Sequence, residues 1–197
     1  MKLVSRLTLV ALVSFTITSC TTKSHDNDTQ DDQNTSEISS EAIPSFNDLD
    51  PTAKTQIGGF LDNYFSLNYA LINDDLDAAK KVAATFAGTT KNFDSAKLNT
   101  EQLDFYHMQS SNLNMALGNL GTSTDIEAAR TELATISESM YALVKAFHPY
   151  DSPLYYQYCP MARDNKGANW ISAKKEIENP YMGQMMPACG KTQETIN

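Results

Sequence analysis

Apolar residues return along the middle of this chain at alternating gaps of three and four, the spacing of one face of an α-helix. Ile57, Phe60, Tyr64, Leu67 and Leu71 make the first stripe. After a break at Asn73-Asp74, where polar side chains can cap a new start, Leu76, Ala79, Ala83 and Phe86 make the second. The third runs Leu103, Tyr106, Ser110, Leu113, Leu117 and Leu120, with Asn99 and Gln102 in capping-box positions. The fourth is the cleanest: Ile126, Ala129, Leu133, Ile136, Met140, Leu143 and Phe147, opened by Thr124 and Glu127 as another box. Gly121 breaks the chain between the last two helices, and Pro149 keeps the fourth from continuing.

Two of the three connections are only a few residues long, so successive helices should lie antiparallel. Stripes at this spacing pack at crossing angles near 20°, which gives a mainly α fold, an up-and-down four-helix bundle over residues 46–148. Gly58 and Gly59 sit inside the first stripe and cost about 1 kcal/mol each relative to Ala. A close helix approach or a late helix start would account for them. The Glu-x-x-His pairs of di-iron bundles do not occur. His107 sits beside the third stripe and reads as a boundary or surface histidine. Arg130 flanks the fourth stripe and reads as a surface or interhelical ion pair.

From His148 onward the helical rhythm stops. Tyr155, Tyr156 and Tyr158 precede Cys159, and Asp164-Asn165-Lys166-Gly167 forms a turn before Ala168-Asn169-Trp170-Ile171. Aromatic and β-branched runs around an Asx-Gly turn predict a short β-hairpin within a cap over residues 149–197, packed on the bundle as part of one domain. Four of the eight methionines, Met161, Met182, Met185 and Met186, fall in this cap beside Cys159 and Cys189.

Two chemistries fit those sulfurs. A disulfide between Cys159 and Cys189 would close a loop of about 30 residues and contribute about 3–4 kcal/mol through loop-closure entropy. Alternatively, Cys159 and Met161, on one face if extended, join Met185, Met186 and Cys189 as soft ligands for Cu(I), with His148 an outside candidate. One cysteine pair can also alternate between the two states.

The other end of the chain gives an address. Lys2 and Arg6 precede an apolar run from Leu7 to Ile17 that is too short to span a bilayer, the form of a secretory signal over residues 1–19. Cys20 follows Thr18 and Ser19, a loose bacterial lipobox in which Cys20 is lipidated and becomes the mature N-terminus. Residues 20–45 hold no aromatic side chain before Phe46 and carry Asp26, Asp28, Asp31, Asp32, Glu37 and Glu41, an acidic linker unable to bury enough apolar surface to order itself. The expected location is the outer membrane, facing the periplasm or the cell surface.

The whole chain has 197 residues, with 15 Lys+Arg against 24 Asp+Glu, a net charge of -9. That excludes a protein that tracks nucleic-acid backbones with clustered cations. No Gly-x-Ser-x-Gly elbow, His-Glu-x-x-His helix, phosphate loop or dinucleotide fingerprint is present, and a Cys159 nucleophile served by His148 has Pro160 against it. A non-enzyme is expected.

The stretches Tyr156-Gln157-Tyr158-Cys159-Pro160-Met161-Ala162, Lys166-Gly167-Ala168-Asn169-Trp170-Ile171-Ser172, Glu176-Ile177-Glu178-Asn179-Pro180-Tyr181-Met182-Gly183 and Met186-Pro187-Ala188-Cys189-Gly190 resemble the signature of one Bacteroidota family. It is the domain-of-unknown-function family "thirty-three forty-seven". Its helical domains end in this tail, as lone lipoproteins or fused to periplasmic adaptor subunits of copper/silver-type efflux systems. The chain departs from the family pattern at Ala129 and Leu133, beside Arg130, and at Asn169. The resemblance implies an accessory to heavy-metal efflux that handles Cu(I) or Ag(I), with an efflux adaptor as partner and the membrane reached through Cys20. It also implies that Asp94-Ser95-Ala96 is similar to that lineage's O-glycosylation triplet. The alternative is a metal-free interaction module, stapled through Cys159 and Cys189, with Tyr155, Tyr156, Trp170 and Tyr181 as its partner surface.

Overall fold

The computed structural model describes residues 42–197. Four long helices follow one another: α1 (Pro51–Ile72), α2 (Leu76–Lys91), α3 (Thr100–Gly121) and α4 (Ile126–Phe147). Each packs on the next in sequence and α4 closes back on α1, the neighbour relations of an up-and-down bundle. Nearly every stripe residue is buried. Leu76, Leu103 and Ile126, at helix starts, are half-buried. Aromatic side chains fill the core where α1 and α3 begin and α2 and α4 end, with Phe60, Phe86, Phe93 and Tyr106 in one cluster and Phe46, Phe105 and Phe147 in another. Among the described residues no helix is long and apolar enough to cross a membrane.

The capping signals hold in part. Asn99 and Gln102 form the expected reciprocal box. At α4 the cap is Asp125, which accepts from the Ala128 amide at 2.8 Å, while Thr124 donates its hydroxyl to the Asp125 carboxylate. Glu127 is thereby one position too early to close a box, and it pairs with Arg130 instead. At α2 the cap is Asp75, not Asn73-Asp74. In both places the carboxylate one residue further on is the cap, and at α2 Asp74 is taken up by Arg130 instead. The first helix starts at Pro51, capped by Asp50, so neither glycine marks a late start. A methyl group on Gly58 would make ordinary contact with the Pro149 carbonyl at 3.5 Å, and one on Gly59 would meet nothing.

Past the left-handed C-cap at His148, the chain adds β1 (Leu154–Cys159), β2 (Ala168–Ser172) and β3 (Lys191–Ile196), which form an antiparallel sheet in the order β2-β1-β3. The expected hairpin is β1 with β2. The third strand, β3, was not expected: it alternates polar residues and carries one apolar side chain, Ile196, and it forms by pairing with β1. The pleat sorts the side chains. Tyr156 and Ile171, opposite one another, face the helices, where Tyr156 stacks on Tyr141 of α4 with ring centroids 4.0 Å apart. Gln157 and Trp170, also opposite, face the other way and are covered by residues 173–190. The sheet is therefore a middle layer between the bundle and the tail.

Candidate functional site

β1 and β3 are neighbours, with Tyr158 paired to Lys191, so the residues just beyond that pair meet at the sheet's end. Cys159 closes β1 and is fully buried; Cys189 lies two residues before β3 and is half-buried. Their sulfurs are 2.7 Å apart, closer than ordinary contact between unbonded sulfurs and within reach of a disulfide. Gly190 makes the approach possible. At its φ of 135° a side chain would be strained, and a Cβ there would lie 2.8 Å from the Tyr158 carbonyl oxygen and 3.0 Å from the Trp170 ring. The hydrogen bond with Cys159, together with burial, pushes the Cys189 thiol up to about 11. In the dithiol form, that keeps Cys189 protonated at neutral pH.

The loop that carries Cys189 is fixed by the residues before it. Asn179, fully buried, accepts at Oδ1 from the Tyr181 and Met182 amides and donates from Nδ2 to the Cys189 carbonyl at 2.7 Å. Its own amide donates to the Pro187 carbonyl, so one side chain and one amide close residues 179–189 into a compact loop. Tyr181 reaches over the edge of β2, donating to the Asn169 carbonyl, with Ser137 of α4 at 3.3 Å from its hydroxyl. Gln157 holds the preceding segment: its Nε2 lies within hydrogen-bond distance of the Lys174, Lys175 and Glu176 carbonyls.

Arg130 ties this loop to the bundle. It is 3% exposed, so it is neither a surface residue nor a simple pair. Nε donates to the Pro180 carbonyl at 2.9 Å, Nη2 to the Leu71 carbonyl at 3.0 Å and to Asp74, and Nη1 to Glu127 at 2.7 Å. Asp74 in turn accepts from the Gln184 amide. Gly183, at φ 51°, rests directly on this pair; a Cβ would fall 2.0 Å from the Asp74 carboxylate and 2.2 Å from the guanidinium. One charged group thus joins the end of α1, the α1–α2 turn, α4 and the tail.

The remaining sulfurs lie outside. Met161 is 46% exposed and Met185 77%, and Met186 sits where the short turn Gly183–Met185 ends. The Cys189 amide donates to the Met186 carbonyl at 3.1 Å, which keeps those two residues together. Met161 does not share an extended face with Cys159, because the chain turns at Pro160 and enters a single turn, Ala162–Asn165, with left-handed residues. His148 is not with the sulfurs. It contacts Ser45 at 2.8 Å and lies with Leu154 at the start of β1, a six-residue strand and so about 17 Å from Cys159. Trp170 and Tyr181 are buried, so the aromatic surface expected of them with Tyr155 and Tyr156 is not formed. His107 is exposed, as expected. Cys20 lies outside the described residues.

Among the described residues no three His, Cys, Asp or Glu side chains cluster to hold a metal. A metal at this end of the sheet would take two thiolates and complete its shell with thioether sulfur, a donor set that fits Cu(I). At about 2.3 Å from each, the ordinary metal–thiolate distance, it would also need the two sulfurs to part. Cys189, on a loop, is the one with room to move.

Residues 60–152 match the family described as a protein of unknown function, DUF3347, a description that names no reaction, ligand or partner. No curated protein and no solved structure matches the chain.

Proposed function

We propose that this chain, whose residues 60–152 belong to the DUF3347 family, is a lipid-anchored protein of the bacterial envelope that binds one soft monovalent metal ion, Cu(I) or Ag(I). The observation that carries the reading is the meeting of Cys159 and Cys189 at 2.7 Å in a tail that also exposes three methionines, of which Met186 is held to Cys189 by a backbone hydrogen bond. Cys159 is the fixed donor, set on a strand and buried. Cys189 is the adjustable donor, and Met161, Met185 or Met186 supplies a thioether from the solvent side. Binding displaces thiol protons, so affinity falls as pH falls, and the raised Cys189 pKa extends that competition above neutrality. Anchorage through Cys20 places the site at the outer membrane, within reach of an efflux adaptor to which the ion is passed. The role is binding rather than catalysis: the Cys189 thiol is protonated and His148, the base considered for Cys159, lies at the far end of β1.

The test is a Cu(I) titration of the reduced protein under anaerobic conditions, in competition with a chromophoric chelator. One equivalent is expected, lost in Cys159→Ser. Unchanged affinity in that variant rejects the site. The same sulfur contact also favours a second reading, a stapled interaction module in which the pair is a disulfide in an oxidising compartment. Thiol counting on unreduced protein, followed by mild reduction and the same titration, separates them. A fully oxidised pair that takes up no copper once reduced favours the staple.

A further inference from the structure

The four methionines of the tail stand in different relations to the cysteine pair. Met182 is half-buried and packs against the core. Met161 leads into the turn Ala162–Asn165, where Arg163, Asp164 and Asn165 are all left-handed, and the chain carries it off the line of β1. Met185 is 77% exposed, and its amide bonds back to the Met182 carbonyl at 3.2 Å, away from both cysteines in sequence. Met186 is the least exposed of the three outward methionines, at 36%.

Met186 also shares a turn with Cys189. The Cys189 amide donates to the Met186 carbonyl at 3.1 Å, so Met186-Pro187-Ala188-Cys189 is a β-turn with proline at its first corner. The two end residues of a β-turn have Cα atoms within about 7 Å of each other. A thioether on an unbranched, freely rotating side chain spans that gap and can meet an ion held by the neighbouring thiolate. The turn is clamped from the interior. Asn179, fully buried, donates from its amide to the Pro187 carbonyl at 2.9 Å and from Nδ2 to the Cys189 carbonyl at 2.7 Å. Met186 and Cys189 therefore belong to one rigid piece of chain, and binding has only their side chains to order.

We infer that Met186 is the thioether ligand, completing a three-sulfur site with Cys159 and Cys189, and that it sets the preference of the site for Cu(I) or Ag(I) over Zn(II). The assignment rests on the proposed binding of a soft ion by the cysteine pair. Two thiolates serve either kind of ion. Zn(II) then fills a tetrahedron with imidazole, carboxylate or further thiolate, and among the described residues no such side chain joins the pair. A neutral, soft thioether adds to the binding of Cu(I) and Ag(I) and little to that of Zn(II).

The probe is Ag(I), added to the reduced full chain with its methionine methyl groups labelled with ¹³C and assigned by single Met→Leu variants. One equivalent should move the Met186 methyl resonance and leave those of Met161 and Met185 in place. In the anaerobic Cu(I) competition titration, Met186→Leu should weaken binding about tenfold or more, and Met161→Leu and Met185→Leu by less than about twofold. Zn(II) affinity should be the same in Met186→Leu as in the wild type. All three positions are exposed, so leucine leaves the fold intact. An unmoved Met186 methyl, or wild-type Cu(I) affinity in Met186→Leu, would overturn the assignment. Either result together with loss of binding in Cys159→Ser removes Met186 alone and leaves the cysteine site standing; unchanged binding in Cys159→Ser removes both.

Discussion

Replacing Arg130 with methionine removes one buried side chain that serves four acceptors, and the structure says what each loss costs. Asp74 and Glu127 have side chains 42% and 69% exposed, so both can turn to water, and their pairing contributes little on its own. The Leu71 and Pro180 carbonyls are different: the guanidinium satisfies them in the interior, and each loses about 1 kcal/mol or more when left bare. Adding the weaker terms gives about 3 kcal/mol, at the lower bound for breaking a buried ion pair. Against a typical domain stability of about 5–15 kcal/mol this is a large fraction. It should also act unevenly. The Pro180 bond and the Asp74 contact to Gln184 hold the tail to the bundle, so residues 179–189 should open ahead of the helices. Two assays read this. Urea denaturation gives the global loss. Labelling of the Cys189 thiol reads local opening, and should accelerate by about 100-fold, since 1.4 kcal/mol is a factor of ten. Arg130→Lys should recover only part of both effects, because an ammonium at one point cannot reach acceptors on four segments. An Arg130→Met protein that unfolds at the wild-type urea concentration and labels at the wild-type rate refutes the latch.

Two further outcomes are expected. Gly59→Ala should stabilise the bundle by about 0.5–1 kcal/mol, visible as a raised melting temperature, because the new methyl group meets nothing and the helix loses its most flexible residue. Burial pushes Glu194 up, but the Lys145 ammonium and the Tyr141 hydroxyl more than offset it and hold its carboxyl below the usual range. A depressed folded-state pKa adds stability above the unfolded value near 4.3 and loses it as pH falls through the folded one. Glu194→Gln should therefore cost about 1 kcal/mol or less at pH 7 and nothing measurable near pH 2, compared by urea unfolding at both.

The bundle was legible because its signal is local. Each stripe records one helix face, and a helix packed on one side needs no more information than that. Where the reading fell short, a contact distant in sequence decided the outcome. Arg130 lies one residue off the stripe through Ala129, which on a helix with a single buried face means the flank. Helix α4 has two buried faces, the bundle on one side and the sheet on the other, as the burial of Ser137, Ala142 and Val144 also records. Strand β3 was missed for a related reason. A segment with one apolar side chain has no periodicity to read, and it becomes a strand only because β1 presents an edge. His148 and Met161 were grouped with the cysteines by type, but the length of β1 separates the first, and the turn after Pro160 redirects the second.

The dense tail motif separates on inspection into two kinds of residue, and that division bears on its chemistry. Asn179 closes the loop, Pro180 offers its carbonyl to Arg130, Gly183 clears the Arg130–Asp74 pair, and Gly190 lets the chain pass Trp170. Tyr181 and Trp170 are buried, with ring centroids 6.1 Å apart. All of these act inward, and none offers a donor to solvent. What they achieve together is to carry Cys189 back across thirty residues to Cys159, which no local preference would do. Met161, Met185 and Met186 have no such duty: they stay at least 36% exposed although each is large and apolar. The polar and glycine positions of this motif place one sulfur against another and its leftover apolar positions are thioethers facing water, which is the ground of the proposed sulfur site. The helices then matter to that chemistry through one guanidinium, because Arg130 is where the loop bearing the second thiol meets the bundle.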